Sequence, residues 1–167
     1  MNKKTRFLLS VLMAIVMMAM SPQRMCADTQ QCLTLTANTA GSTVTLNKQG
    51  SPTDISLIYS TDGGSTWSEY TIGTEITLTN AGDAVQFKAG TADNTTTGTN
   101  STFSTAKDDY YQFSMTGSIA ASGNIMSLLD ATMQSTTVPN YCFYYLFKDC
   151  TSLTKAPSLP AETLAKC

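Results

Sequence analysis

Apolar and polar residues alternate in short runs over residues 32–116, and turn-forming residues separate the runs. Leu33 and Leu35 share one face of the first run, and Val44 and Leu46 share one face of the second. This period of two is typical of half-buried antiparallel strands. The pattern predicts about seven to nine strands, which suits a mainly β chain containing one immunoglobulin-like β-sandwich.

The pattern changes at residue 117. The apolar residues that follow recur at helical spacing and are Ile125, Leu128, Leu129 and Met133. Two more short helices are predicted, over residues 139–147 and 161–167. A short strand interrupted by Pro157 and Pro160 lies between them. The sandwich is therefore predicted to end before a mixed α/β region begins.

The N-terminal 27 residues have the order of a secretory signal peptide. A basic start precedes the apolar run Phe7–Met20, which is shorter than the roughly 20 residues of a membrane-spanning helix. Ser21 and Pro22 interrupt the run, and Ala27 is a small residue at a suitable cleavage position. We therefore predict cleavage near Ala27, a secreted or cell-surface protein, and no membrane-spanning segment in the mature chain.

Cleavage of this leader would leave six lysines, twelve carboxylates and no arginine, a net charge of −6. Such a chain is a poor partner for nucleic acid or anionic membranes, because both attract Lys/Arg patches. Histidine is missing from the whole sequence. This excludes Ser-His-Asp and Cys-His catalysis and histidine-containing zinc sites. We predict a protein that is not an enzyme and that binds no cofactor and no metal.

Residues 59–70 resemble an Asp-box, a hairpin motif of sialidases, through Ser60, Asp62, Gly64, Thr66 and Trp67. In such a hairpin the Asp side chain caps turn amides, and the Gly takes positive φ. The chain has one box, whereas sialidases repeat it and hold their substrate carboxylate with arginines. The motif is therefore predicted to shape a turn, with Trp67 packed in the core beside Tyr59.

Carboxylates are the remaining catalytic candidates, and they are Asp62, Glu69, Asp83, Asp108 and Asp109. Asp108 and Asp109 are adjacent, but consecutive strand residues point to opposite faces. We therefore predict solvated surface acids rather than a glycosidase pair. A weak calcium site formed by Asp93 and Asn94 with Asp108 and Asp109 is an open alternative.

Aromatic residues are the candidates for ligand contact, since they are enriched at interfaces. The candidates are Tyr70, Tyr110, Tyr111, Tyr144, Tyr145 and Trp67. We favour the tyrosines over Trp67, because a large indole suits the core of a small sandwich. Tyr141 shares a predicted helix with Tyr144 and Tyr145, so part of this group must face outward.

Four cysteines follow the leader, namely Cys32, Cys142, Cys150 and Cys167. An even count in an exported chain permits disulfides. Free cysteines are also among the most buried residue types. Both interpretations stay open, and no pairing is predicted.

Residues 141–167 resemble one unit of the BspA-like leucine-rich repeats of surface proteins from Bacteroides and its relatives. The resemblance rests on Phe147, on the CTSLT of residues 150–154 and on the PSLP of residues 157–160. Residues 123–131 resemble the lead-in of such proteins. The resemblance implies a small α/β repeat unit and a role in adhesion to host proteins and other bacteria.

The predicted organisation is a signal peptide (1–27), an Ig-like sandwich (28–116), a helical lead-in (117–140) and a first, partial repeat (141–167). Because repeats bury their faces against neighbours, we expect this chain to be the N-terminal part of a longer protein. The alternative is that the unit folds back on the sandwich as a small cap.

We expect a non-enzymatic binding or adhesion protein whose sandwich and repeat contact host or bacterial surface proteins or glycans. The first alternative is a carbohydrate-binding module, with the sandwich holding a glycan through Tyr70, Tyr110 or Trp67. The second is a truncated fragment without a function of its own.

Overall fold

The computed structural model describes residues 31–164 of the 167-residue chain, and the fold is mainly β, as predicted. The strands among these residues are β1 (Leu33–Ala37), β2 (Ser42–Gln49), β3 (Leu57–Ser60), β4 (Ser68–Glu69), β5 (Ile76–Leu78), β6 (Ala84–Ala89), β7 (Tyr110–Thr116), β8 (Ile119–Ser122), β9 (Thr137–Val138), β10 (Leu153–Lys155) and β11 (Thr163–Leu164). A 3₁₀ helix, Ile125–Leu128, lies between β8 and β9. The predicted leader and Cys167 lie outside the described residues.

Two sheets hold most of the strands. The larger sheet has the order β10-β8-β1-β6-β3-β4, and the smaller has the order β5-β2-β7. β1 lies inside the larger sheet and is antiparallel to both neighbours, so that Leu35 pairs with Val85 of β6 and with Ala121 of β8. The short strand β4 forms one edge of this sheet, and β10 forms the other.

The core lies between the two sheets. Leu35 and Phe87 face it from the larger sheet, and Leu46 and Phe113 face it from the smaller. The rings of Phe87 and Phe113 meet across the gap with centroids 5.6 Å apart. Each such side chain stabilises the fold by about 1.5–3 kcal/mol through burial. The period of two in the sequence therefore placed the core residues of these strands on the correct face.

Two strands from the predicted repeat extend the β-structure in parallel. β10 pairs with β8, with Leu153 opposite Ile119. β11 pairs with β9, with Thr163 opposite Thr137, 26 residues earlier. β11 lies within residues 161–167, so the helix predicted there is wrong for the part that the structure describes.

The predicted boundary at residue 116 falls inside this continuous β-structure. β8 lies beyond the boundary, and it pairs with β1 on one side and with β10 on the other. Before it reaches β8, the predicted repeat packs on β7, where Phe147 stacks on Phe113 with centroids 5.5 Å apart and ring planes 14° apart. Residues 147–155 therefore pack against both sheets.

The first predicted helix is a short 3₁₀ helix rather than an α-helix. Asn124 caps its start through the side-chain carbonyl. Ser127 ties it to the larger sheet, because its hydroxyl accepts from the Leu33 amide and donates to the Phe87 carbonyl, both at 2.9 Å. The helix ends at Leu128, and Asp130 organises the turn that follows.

The second predicted helix, over residues 139–147, is wrong. The segment from residue 139 to 150, here called the turn segment, forms successive tight turns in which amides bond to carbonyls three residues earlier. Tyr141, Tyr145 and Asp149 have positive φ, which no α-helix accommodates. Tertiary contacts decide this outcome, because an amide of β7 binds the Leu146 carbonyl at 2.8 Å.

A buried carboxylate closes the turn between the 3₁₀ helix and β9. Asp130 is 7% exposed. Its oxygens accept from the Thr132 amide and hydroxyl at 2.8 and 2.7 Å, and from the Gln134 and Ser135 amides at 3.0 Å. Burial raises the pKa of this group, but the hydrogen bonds outweigh it and leave the pKa below its usual 3.8. The ionised form is therefore the one that stabilises the turn.

Replacement of Asp130 by asparagine is expected to lower the free energy of unfolding at pH 7 by about 1.5–3 kcal/mol. Because the folded pKa is depressed, the ionised carboxylate stabilises the fold above pH 3.8, and this contribution is lost as the pH falls further. Urea unfolding between pH 7 and pH 3 measures both effects. Glu75→Gln, an exposed acid, is the matched control. A difference between Asp130→Asn and the unmodified protein that stays constant over this range would contradict the prediction.

Candidate functional site

Two of the six aromatic candidates are buried, which removes them as surface contacts. Tyr70 is 7% exposed and Tyr111 is 1% exposed. Alternation along β7 turns Tyr111 inward with Phe113 and leaves Tyr110 outward. The Tyr70 hydroxyl accepts a hydrogen bond from the Leu46 amide at 2.9 Å. Burial raises the pKa of both buried phenols, so they serve as neutral core residues.

The Asp-box hairpin forms as the motif indicates. Asp62 Oδ1 accepts from the Thr66 amide at 2.9 Å and from the Ser60 hydroxyl at 2.7 Å. Gly64 has a φ of 90°, which suits glycine. The pKa of Asp62 is held well below its usual range by hydrogen bonds from the Thr66 hydroxyl, the Thr66 amide and the Ser60 hydroxyl. This carboxylate is thus engaged by its own turn.

Trp67 is half-buried and is not the core residue that we predicted. Its indole N–H donates to the Gly64 carbonyl at 3.0 Å, and the Lys88 ammonium lies 4.0 Å from the ring centroid. Tyr59 packs instead against Tyr70, with ring centroids 5.9 Å apart. Trp67 precedes the two-residue strand β4 and lies on the side of the sheet that bears Lys88, so Tyr70 takes the core position.

Four tyrosines form a cluster on the surface. Tyr144 and Tyr145 stack with ring centroids 3.9 Å apart. Tyr110, from the start of β7, meets Tyr145 edge-on at 5.2 Å, and Tyr141 meets Tyr144 edge-on at 5.9 Å. The Lys148 ammonium lies 4.4 Å from the Tyr145 ring centroid. We call these four tyrosines and Lys148 the tyrosine surface.

The tyrosine surface combines three of the predicted contact residues with two that sequence analysis did not select. The predicted contact residues are Tyr110 of β7 and the neighbours Tyr144 and Tyr145 of the turn segment. The added residues are Tyr141 and Lys148. A four-residue period in the turn segment is the sequence signal for Tyr141, and Lys148 has no such signal. Cys142, Leu146 and Cys150 lie inward at this spacing, and Tyr141 and Tyr145 lie outward.

Two of these tyrosines are exposed and have a strained backbone. Tyr141 is 42% exposed with a φ of 56°, and Tyr145 is 38% exposed with a φ of 58°. A left-handed conformation costs about 1–2 kcal/mol for a residue with a side chain, and for a bulky residue it is uncommon. Strain of this kind clusters at functional sites. The observation therefore singles out the tyrosine surface as a candidate site.

The phenol of Tyr144 is held as a neutral hydrogen-bonding group. The hydrogen bond with Tyr145, loss of solvent and nearby negative charge, Asp108 included, raise the pKa of Tyr144 to about 12. Tyr144 therefore stays protonated across the physiological pH range. Neutral phenols can donate and accept hydrogen bonds, which suits recognition rather than acid–base chemistry.

An apolar pocket of about 190 Å³ adjoins the tyrosine surface. Its walls include Val138, Tyr141, Cys142, Leu159 and Leu164. Leu159 is 48% exposed and Leu164 is 55% exposed, which is unusual for large apolar side chains that lie together. The pocket is smaller than the roughly 300–1,000 Å³ of typical small-molecule sites, so its size suits one apolar side chain.

Metal and thiol chemistry find little support among the described residues. No group of three or more His, Cys, Asp or Glu side chains there is arranged to hold a metal ion. Asp109 Oδ1 accepts from the Ser51 amide at 2.7 Å, which assigns it a structural contact. Cys32, Cys142 and Cys150 are free, and burial raises the pKa of each, to about 11 for Cys142. These three thiols are therefore unreactive at neutral pH.

Comparison with known proteins adds no relative. No protein-family model, no curated protein and no solved structure matches this chain. Within residues 31–164, no helix has the length and apolar character needed to cross a bilayer. The function is therefore inferred from the geometry of the site.

Proposed function

We propose that this chain is a non-enzymatic, exported cell-surface protein that binds other proteins through the tyrosine surface and its apolar pocket. The observation that carries this proposal is the cluster of exposed, strained tyrosines beside Leu159 and Leu164. Tyrosine is enriched in protein interfaces, and an exposed apolar patch of this kind marks an interaction site. An adhesion role follows from the resemblance of residues 141–167 to BspA-like repeats.

The strand pairing supports the finer assignment of the fold. If β2, β3, β5 and β6 take the roles of immunoglobulin strands B, C, E and F, the pairs β2–β5 and β3–β6 match that order. The outer strands differ, because β7 lies beside β2 and β1 lies beside β6. The parallel pairing of β9 with β11, 26 residues apart, suits consecutive coils of a repeat array.

A protein partner suits the aromatic geometry better than a glycan does. A sugar ring stacks on a free aromatic face. Tyr144 covers one face of Tyr145, and the Lys148 ammonium lies over the ring, so a neutral sugar that stacked there would displace this cation without replacing its cation–π contact. Trp67 likewise has Lys88 over its ring and Gly64 against its edge. What the tyrosine surface offers is ring edges and hydroxyl groups, which adapt to protein surfaces.

A binding assay on arrayed proteins tests the proposal. The protein is expressed from its full sequence, purified and offered to immobilised extracellular-matrix and bacterial surface proteins. Tyr141→Asn combined with Tyr145→Asn removes both rings and places at each site a residue that tolerates positive φ. We expect this variant to bind at least about tenfold more weakly, because interface tyrosines are often binding hot spots.

Thr77→Ala, an exposed change on β5, is the control and should bind like the unmodified protein. Full affinity of the double asparagine variant for every partner that the unmodified protein retains would refute the proposal. Binding only to an array of glycans, unaffected by the double variant, would favour a carbohydrate-binding module instead.

A further inference from the structure

The tyrosine surface lies on an acidic protein. Residues 31–164 contain five lysines and eleven carboxylates, and arginine and histidine do not occur among them. Two of these acids belong to the surroundings of the cluster. Asp149 follows Lys148 in the turn segment and is exposed, and the charge of Asp108 acts on Tyr144. Lys107 Nζ lies 3.9 Å from Asp108 Oδ2 in an exposed ion pair, which is weak, so a cation from a partner can still approach this carboxylate.

The protein already places cations on its exposed rings. The Lys148 ammonium lies 4.4 Å from the centroid of Tyr145, and the Lys88 ammonium lies 4.0 Å from the centroid of Trp67. Both distances fall within the range of cation–π attraction. Lys148 is exposed, so its flexible side chain can leave the ring without opening the fold. The Lys148 ammonium thus occupies a position over Tyr145 that a cation from a partner protein could take.

We propose that the tyrosine surface binds a basic segment of the partner protein, with an arginine guanidinium replacing the Lys148 ammonium over Tyr145. Arginine suits this position better than lysine, because its guanidinium is planar, weakly hydrated and stacks on aromatic rings. Asp108 and Asp149 supply the opposite charge, and the phenol oxygens accept further hydrogen bonds. The neighbouring apolar pocket receives a side chain next to the arginine. This inference rests on the proposed function and names the chemistry of its partner.

The test uses a fluorescein-labelled hepta-arginine peptide, titrated with the purified full-length protein and followed by fluorescence anisotropy. Tyr145→Asn is expected to weaken binding about two- to fivefold, the usual range for one exposed cation–π contact. Lys148→Met frees the ring face and is expected to tighten binding by a similar factor. Lys155→Met removes the same charge from β10 and should tighten binding less.

Charge variants separate local recognition from general attraction. Asp108→Asn is expected to weaken binding about twofold more than Glu75→Gln, although each removes one negative charge. Glu75 lies away from the cluster, because its neighbour Ile76 pairs with Val44 of β2, five residues before Gln49, which pairs with Tyr110. Both acids are exposed, so neither variant should unfold the protein.

Equal effects of Asp108→Asn and Glu75→Gln, or no effect of Tyr145→Asn, would overturn the inference. Competition between the hepta-arginine peptide and the arrayed partner proteins then distinguishes the basic-segment inference from the proposed function. Displacement of a bound partner by the hepta-arginine peptide supports both. Loss of partner binding in Tyr145→Asn without displacement by the peptide would leave the proposed function standing and refute the basic segment alone.

Discussion

Replacement of Phe113 by alanine is expected to lower the free energy of unfolding by about 3–5 kcal/mol, the range for a buried Phe. The ring is 1% exposed, lies 5.6 Å from Phe87 across the core and stacks on Phe147 of the turn segment. Its backbone carbonyl also accepts from the Cys150 thiol at 3.0 Å. One side chain therefore holds the larger sheet, the smaller sheet and the turn segment together.

Urea unfolding measures this prediction with two probes. Fluorescence of Trp67, the one tryptophan of the sequence, reports the hairpin, and near-ultraviolet circular dichroism reports mainly the tyrosines. Both signals should change at one midpoint, and that midpoint should fall in Phe113→Ala. Ser114→Ala, the outward neighbour on β7, should cost less than about 1 kcal/mol. Separate midpoints in the unmodified protein would show that the predicted domains unfold independently and would contradict the expectation.

Gly98→Ala is expected to cost about 3 kcal/mol, near the upper end for a small-to-large change in a packed site. A Cβ at this position would lie 2.2 Å from the Gly90 Cα and 2.7 Å from the Ala89 carbonyl, so the loop after β6 would have to move. The Gly98 carbonyl also accepts from the Ala131 amide at 2.9 Å. Any shift of this loop would therefore strain the turn at Asp130.

Gly73→Ala is the matched control for this glycine. Gly73 has a φ of 87° and open space around an added Cβ, so only backbone strain of about 1–2 kcal/mol is expected. Thermal or urea unfolding of the two variants compares close packing with backbone strain. The prediction fails if Gly98→Ala is no more destabilising than Gly73→Ala.

Many strands of the two sheets could be predicted because their alternation is regular. Leu33, Leu35, Val44 and Leu46 lie in the core as the period of two indicated. The same rule, applied to Tyr110 and Tyr111, would have placed one outward and one inward. The predicted helices failed for a different reason. Apolar spacing of three or four residues also arises in the turn segment, where β7 rather than the next helical turn binds a carbonyl.

The site could be predicted only in part. The sequence predicts Tyr144 and Tyr145 as contact residues, but their contact with Tyr110 depends on how the turn segment packs on β7. The sequence also does not show that Tyr70 rather than Trp67 packs in the core, because the inward residue depends on where the short strand β4 begins. Leu159 and Leu164 carry no signal of exposure in the sequence. Their exposure is seen only in the structure, where both line the pocket beside Tyr141.

The position of β1 also constrains the order in which the molecule can fold. β1 begins at Leu33, yet its partner β8 ends at Ser122, so this pair cannot form until residues 33–122 have all been synthesised. Contacts between such distant segments slow folding, since a long loop must close before they form. In a nascent chain β1 can therefore pair with β6 well before β8 and β10 complete the larger sheet.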